Sequence, residues 1–146
     1  MTLRTVGLAA IIVLSFAAGS FVTSQLRHIQ SVRAAGERVF ELRVYHTFPG
    51  RLPQLQSNFR DYNITFLKKH EITSIGYWTP QDSPASENTL IFVLAHDNRE
   101  VAAQHWKEFR EDPEWQKMAQ ASEAAGKIVE KVDSTFMTPT DYSPLK

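Results

Sequence analysis

The chain contains no cysteine, which excludes disulfides, thiolate metal sites and cysteine nucleophiles together. Neither charge is in excess, since 16 Lys and Arg balance 16 Asp and Glu over 146 residues. That balance removes any whole-chain electrostatic case for nucleic acid as a partner. There is no His-Glu-x-x-His pair, phosphate-cradling Gly loop, dinucleotide fingerprint or nucleophile elbow, so no motif implies a metal, a cofactor or an activated serine. Acidic residues are also missing from residues 1–36, where Arg4, Arg27 and Arg33 are the charged side chains.

That acid-free segment follows its own rules. Val6 to Val22 is apolar except for Gly7, Ser15, Gly19 and Ser20. As a helix it would span roughly 25 Å at ~1.5 Å per residue, just short of the ~30 Å hydrocarbon core of a bilayer. Val6 to Leu14 behind Arg4 also fits the apolar part of a secretory signal. Residues 1–23 are therefore expected to be a signal peptide or membrane anchor, and 24–36 a linker. The expected location is exported or membrane-anchored, with the bacterial periplasm first. The lack of acids also matches a mitochondrial presequence, although the run is more apolar than an amphipathic transit peptide. Arg27, Arg33 and Arg38 outnumber Arg4, so charge bias alone does not direct the domain outward.

Residues 37–146 read as one α+β domain. From Glu37 to His46, Phe40, Leu42 and Val44 alternate with Glu41, Arg43 and Tyr45, the period of a half-buried strand. Phe48-Pro49-Gly50 is a turn signal. Leu52, Leu55, Phe59, Tyr62 and Phe66 recur at steps of 3, 4, 3 and 4, the stripe of an amphipathic helix, with Pro53 in the first turn, where its missing N–H is tolerated. Ile72 to Thr79 is extended, and Pro80 to Asn88 is a polar loop. Thr89 to His96 is apolar on both faces: Leu90, Phe92 and Leu94 on one, Ile91, Val93 and Ala95 on the other. A strand without a wet face must be covered twice, and helices in so short a chain cover one side, which calls for a partner subunit. Asp97 to Glu100 has capping-box spacing, and Ala102, Trp106 and Phe109 form the stripe of the helix behind it. Asp112-Pro113-Glu114 restarts a helix with an acid as its cap, and Ile128 to Met137 is the last strand.

The order strand, helix, strand, strand, helix, strand fits a ferredoxin-like βαββαβ arrangement with a four-stranded antiparallel sheet. Right-handed crossovers place the first strand between the third and fourth. Glu41 and Arg43 are then expected opposite Lys131 and Asp133.

Glu41-Leu42-Arg43-Val44-Tyr45, Pro49-Gly50-Arg51-Leu52, Gly76-Tyr77-Trp78 and Asp112-Pro113-Glu114-Trp115, in this order and at this spacing, resemble a NIPSNAP domain. Tyr142-Ser143-Pro144-Leu145 is similar to that family's usual ending, so the resemblance runs from about Glu37 to Leu145. It implies a homodimeric α+β barrel in which two sheets pack face to face. Activity is left undefined by it: NIPSNAP proteins are mostly of undefined biochemical function, animal members are associated with mitochondria and with protein–protein recognition, and the wider superfamily includes monooxygenases and haem-degrading enzymes. The expected function is a homodimeric interaction or structural domain. The alternative is a monooxygenase-like enzyme, or a binding module for a small apolar or anionic ligand, using the cavity between the two sheets.

The candidate site residues follow from this topology. His46 and His96 end the first and third strands and are expected to approach one another at a barrel mouth. Arg43, Tyr45 and Trp78 line the space between the sheets, where a cation and aromatics suit an anionic or planar ligand or anchor a dimer interface. No residue is singled out as catalytic. Trp106 and Trp115 are expected to pack on the helices, and Asp112 to serve as a cap.

Overall fold

The strand with two apolar faces lies at the interior of the observed sheet. The computed structural model describes residues 38–146; the expected leader and linker lie outside the described residues. Strands β1 (Val39–Thr47), β2 (Thr73–Trp78), β3 (Thr89–His96) and β4 (Val129–Met137) form one antiparallel sheet in the order β2-β3-β1-β4. The first strand is thus between the third and fourth, as right-handed crossovers demand.

Helices cover one face. Helix α1 (residues 52–69) is built from α-helical Leu52–Asn58, a π-helical stretch Phe59–Asn63 and α-helical Ile64–Lys69. A single turn, α2 (Ala85–Asn88), sits inside the expected polar loop. Helices α3 (Arg99–Glu111) and α4 (Pro113–Ser122) complete the layer. The start of α3 is capped by Asn98, whose side chain accepts from the Val101 N–H at 2.8 Å, and not by Asp97. The start of α4 is as expected: Asp112 accepts from the N–H groups of Glu114 and Trp115, ahead of Pro113 at the first position.

The π-helical stretch changes which residues of α1 face inward. A wider turn consumes one more residue than an α-turn, so the stripe begun by Leu52, Leu55 and Phe59 slips by one residue. It continues through Asn63 and Leu67, and leaves Tyr62 exposed. The 3-4-3-4 stripe is therefore correct as far as Phe59 and fails at Tyr62, while Phe66 is half-buried against the core.

The core lies between the helices and one face of the sheet. Leu90, Phe92 and Leu94 of β3 are buried there with Leu55, Phe59, Leu67, Trp106 and Phe109. Tyr45, Phe59, Tyr77 and Phe92 form a ring cluster with centroids 5.1–5.9 Å apart. The opposite face has no helix among the described residues. Leu42 pairs with Val93, and Val44 with Ile91; all four are partly exposed. Trp78 lies beside Ile91 and is 52% exposed. At one end of this face Phe40, Val93 and Met137 line a groove together with Pro139 and Leu145 of the C-terminal tail, and Phe40 and Ala95 are buried.

The cross-strand charge pairing differs from expectation. Glu41 stands opposite Phe136 and Arg43 opposite Ser134, while Asp133 meets Val44 and Lys131 meets His46. The register is uniform from Phe40–Met137 to His46–Lys131 and shifts only at a bulge between His46 and Thr47. Charge matching between four surface-capable residues is worth too little to set a register against core packing.

Candidate functional site

β1 carries Glu41, Arg43 and Tyr45 on its helix-facing side, opposite to the sheet–sheet side expected for Arg43 and Tyr45. Glu41 is buried at 1% exposure, and its two oxygens accept four hydrogen bonds. Arg43 Nη1 donates to Oε1 at 2.8 Å and Ser134 Oγ at 2.7 Å. Trp106 Nε1 donates to Oε2 at 2.7 Å, and His96 Nε2 at 3.2 Å. Each donor comes from a different element except Arg43, two residues along β1: β4 supplies Ser134, α3 supplies Trp106 and β3 supplies His96. Burial alone would raise the Glu41 pKa. The bonds from His96, Ser134 and Trp106 and the charge of Arg43 outweigh it and lower the pKa from 4.5 to about 2.

Arg43 also stacks on the Trp106 ring with its guanidinium carbon 4.3 Å from the centroid, a cation–π contact in a desolvated setting. Its Nη2 donates to the Tyr45 hydroxyl at 3.3 Å. Burial raises the Tyr45 pKa, and the neighbouring Arg43 opposes that rise. His96 Nδ1 and Arg43 Nε are buried without partners among the described residues.

The two strand-end histidines do not meet. β1 and β3 are antiparallel, so His96 stands opposite Val39 while His46 stands opposite Thr89 at the other end. They also face opposite sides of the sheet. His46 Nε2 lies 3.2 Å from Asp133 Oδ2 on the helix-free face, and Lys131 holds the same carboxylate at 2.8 Å. Lys131, then His46, lowers the Asp133 pKa against its desolvation. Trp78 shares that face. Of the five candidates, Arg43, Tyr45 and His96 gather beneath the helices, and His46 and Trp78 lie on the other side of the sheet.

A space of about 200 Å³ opens between the sheet and helices α1, α3 and α4. Its floor is aromatic (Phe59, Phe92, Trp106, Phe109 and Trp115), and Tyr45 joins it to the Glu41 cluster. Asn58 and Asn63 border it from α1, and Met118, Ala119 and Ser122 from α4. Composition did not single out either asparagine. The signal for Asn63 was confined to a helical phase that the π-turn alters.

Asp112 does more than cap. Its Oδ2 lies 2.8 Å from both Lys69 Nζ and His70 Nε2 at the end of α1. Lys69 first, with His70 and the two cap N–H groups, lowers its pKa despite desolvation. Among the described residues no three His, Asp or Glu side chains converge as a metal-binding group.

A four-stranded β2-β3-β1-β4 antiparallel sheet with helices on one side defines a ferredoxin-like α+β domain. The NIPSNAP family model matches residues 40–144. The chain belongs to the NIPSNAP family. A NIPSNAP family protein of Agrobacterium tumefaciens is similar in structure at 22% identity and a TM-score of 0.66, covering 75% of this chain and 100% of that one. A NIPSNAP-like domain protein of Burkholderia xenovorans, uncharacterized, is 18% identical with a TM-score of 0.64, covering 74% and 90%. The cofactor-independent oxygenase SnoaB of Streptomyces nogalater shares the fold at 10% identity and a TM-score of 0.50, covering 74% and 98%. A search of curated protein sequences finds no match.

Proposed function

We propose that this NIPSNAP domain is a homodimeric, non-catalytic interaction or structural module whose two sheets pack through their helix-free faces, and that residues 1–23 export it or tether it to a membrane. One observation carries the dimer: Leu42, Val44, Ile91 and Val93 form a contiguous apolar patch on inner strands, partly exposed, flanked by Trp78. Inner-strand aliphatics gain stability by leaving water, at about 25 cal/mol per Å², and an apolar patch rimmed by polar residues is the usual mark of an association surface. His46, Lys131 and Asp133 supply that polar rim on the same face.

The non-catalytic reading rests on how the ionisable groups are spent. Glu41 accepts from both His96 and Trp106 under α3, and His46 is engaged with Asp133. An oxygenase-like activity has in its favour only a likeness of fold, and one fold hosts many chemistries.

Sedimentation of the full chain in mild detergent tests the dimer. The wild-type protein is expected to sediment as two copies, and Val93→Lys as one copy with an unchanged circular dichroism spectrum. A monomeric wild-type protein would refute the reading. Cell fractionation with N-terminal sequencing tests the leader, which is expected to bring the protein to a membrane or exported fraction.

A further inference from the structure

Helices α1 and α4 run antiparallel and are tied to each other at both ends by polar contacts. At one end Gln54 Nε2 donates to the Ser122 carbonyl at 2.8 Å, and Arg51 Nη2 to the Ala125 carbonyl at 2.7 Å. At the other, Asp112 bridges Lys69 and His70, and Lys69 also reaches Glu114 at 2.6 Å. Between these ties α4 buries no residue fully, and the aromatic-floored cavity of about 200 Å³ lies beneath it. Interiors are ordinarily packed without such gaps, and this one opens partly to solvent. A π-helical stretch at the same place is a second departure from regular packing, of a kind frequent at functional sites.

We propose that this cavity is a binding site for a small, flat, uncharged aromatic molecule bearing one hydrogen-bonding oxygen. Ring faces and edges of Phe59, Phe92 and Phe109 favour a flat aromatic guest, because aromatic pairs gain beyond their buried area. The volume suits one substituted ring or two fused rings, since an apolar cavity of about 150 Å³ already admits benzene. The π-turn brings Asn63 onto the cavity wall beside Asn58, one turn earlier. Neither amide has a hydrogen-bond partner among the described residues, so both are open to read a hydroxyl or carbonyl oxygen. No Lys or Arg lines the space, and its one carboxylate, Glu123, already accepts from the Ile128 N–H at 3.3 Å. An anionic guest would therefore enter without a counter-charge. This site is on the opposite side of the sheet from the proposed dimer contact and does not depend on it.

Isothermal titration of the full chain with 1-naphthol is the test, with each variant titrated in the same medium. One molecule is expected to bind per chain. Decahydro-1-naphthol, similar in size but not flat, and the anionic 1-naphthoate are each expected to bind about tenfold more weakly or worse. Ala119→Phe, which fills the cavity from α4, is expected to abolish the heat. Asn63→Leu is expected to weaken binding about fivefold to tenfold through loss of one hydrogen bond. If Ala119→Phe does not fold by circular dichroism, Asn63→Leu decides. Absence of saturable binding by the wild-type chain, equal affinity for the flat and saturated compounds, or an affinity unchanged in the folded variants would overturn the proposal.

Discussion

The indole N–H of Trp106 donates to the carboxylate of Glu41 at 2.7 Å, across the boundary between α3 and the sheet. Through that bond a charge at the centre of β1 is held inside the protein, with Arg43 stacked on the same indole. A buried carboxylate of this kind is sustained only while every partner stays in place.

Removing the carboxylate should therefore be severe. Glu41→Ala leaves the Arg43 guanidinium buried without its ion-pair partner, and the expected loss is about 3–5 kcal/mol. Urea unfolding measures it. Arg43→Ala should cost less in the Glu41→Ala background than in the wild-type protein, because the second change removes a charge that the first left stranded.

Acid should expose the same interaction. The folded-state pKa of Glu41, about 2, lies below its ordinary 4.5. The folded protein thus holds fewer protons at this site than the unfolded chain in that interval. The contribution is complete above about pH 4.5, on the order of 3 kcal/mol, and is lost as pH falls towards 2. Stability measured from pH 6 down to pH 2 should fall less steeply in Glu41→Gln than in the wild-type protein. Parallel acid limbs would contradict this assignment.

Asp112 predicts a local effect. Asparagine also caps helices well, so Asp112→Asn should preserve slow amide exchange at Glu114 and Trp115 while loosening the tie to Lys69 and His70. Asp112→Ala should accelerate exchange at both amides. Hydrogen exchange resolved by residue separates the cap from the charge bridge.

A fourth prediction concerns the helix-free face. A Cβ on Gly76 would lie 2.7 Å from the Trp78 ring, whose far end can swing outward. Gly76→Ala should leave the fold intact, displace Trp78 from its place over Gly76 and weaken self-association. A red-shifted Trp emission together with a larger dimer dissociation constant is the expected outcome, and unchanged association would separate Trp78 from the interface.

Several of these relationships could be read from the sequence and several could not, for identifiable reasons. The apolar residues on both sides of β3 placed that strand inside the sheet, because no arrangement of α3 and α1 covers both. Asp112-Pro113-Glu114 marked a helix start through purely local chemistry. β1 was harder: alternation separated Phe40, Leu42 and Val44 from Glu41, Arg43 and Tyr45, but it cannot say which set faces the helices. The need to cover both sides of the sheet assigns Arg43 and Tyr45 to the space between two sheets. The four donors that make Glu41 acceptable inside are spread over β1, β3, α3 and β4 and leave no local trace. The π-turn in α1 likewise has no signature in a 3-4-3-4 pattern, so Asn63 went unnoticed as a wall of the cavity. His46 and His96 were both correctly placed at strand ends, yet antiparallel pairing puts those ends apart.

The central claim is that the sheet face bearing Val93 is buried against a second copy of the chain, and the natural lack of cysteine makes cysteine cross-linking its most direct test. Single-cysteine full-length chains carrying Leu42→Cys, Val44→Cys, Ile91→Cys or Val93→Cys would be treated with a short bis-maleimide in their native membrane or extract, alongside Glu108→Cys and Lys117→Cys on the helix side. Cross-linked dimers at open-face positions, and none at the two helix positions, is the predicted result. Monomers throughout, or equal cross-linking from both sides, would contradict it.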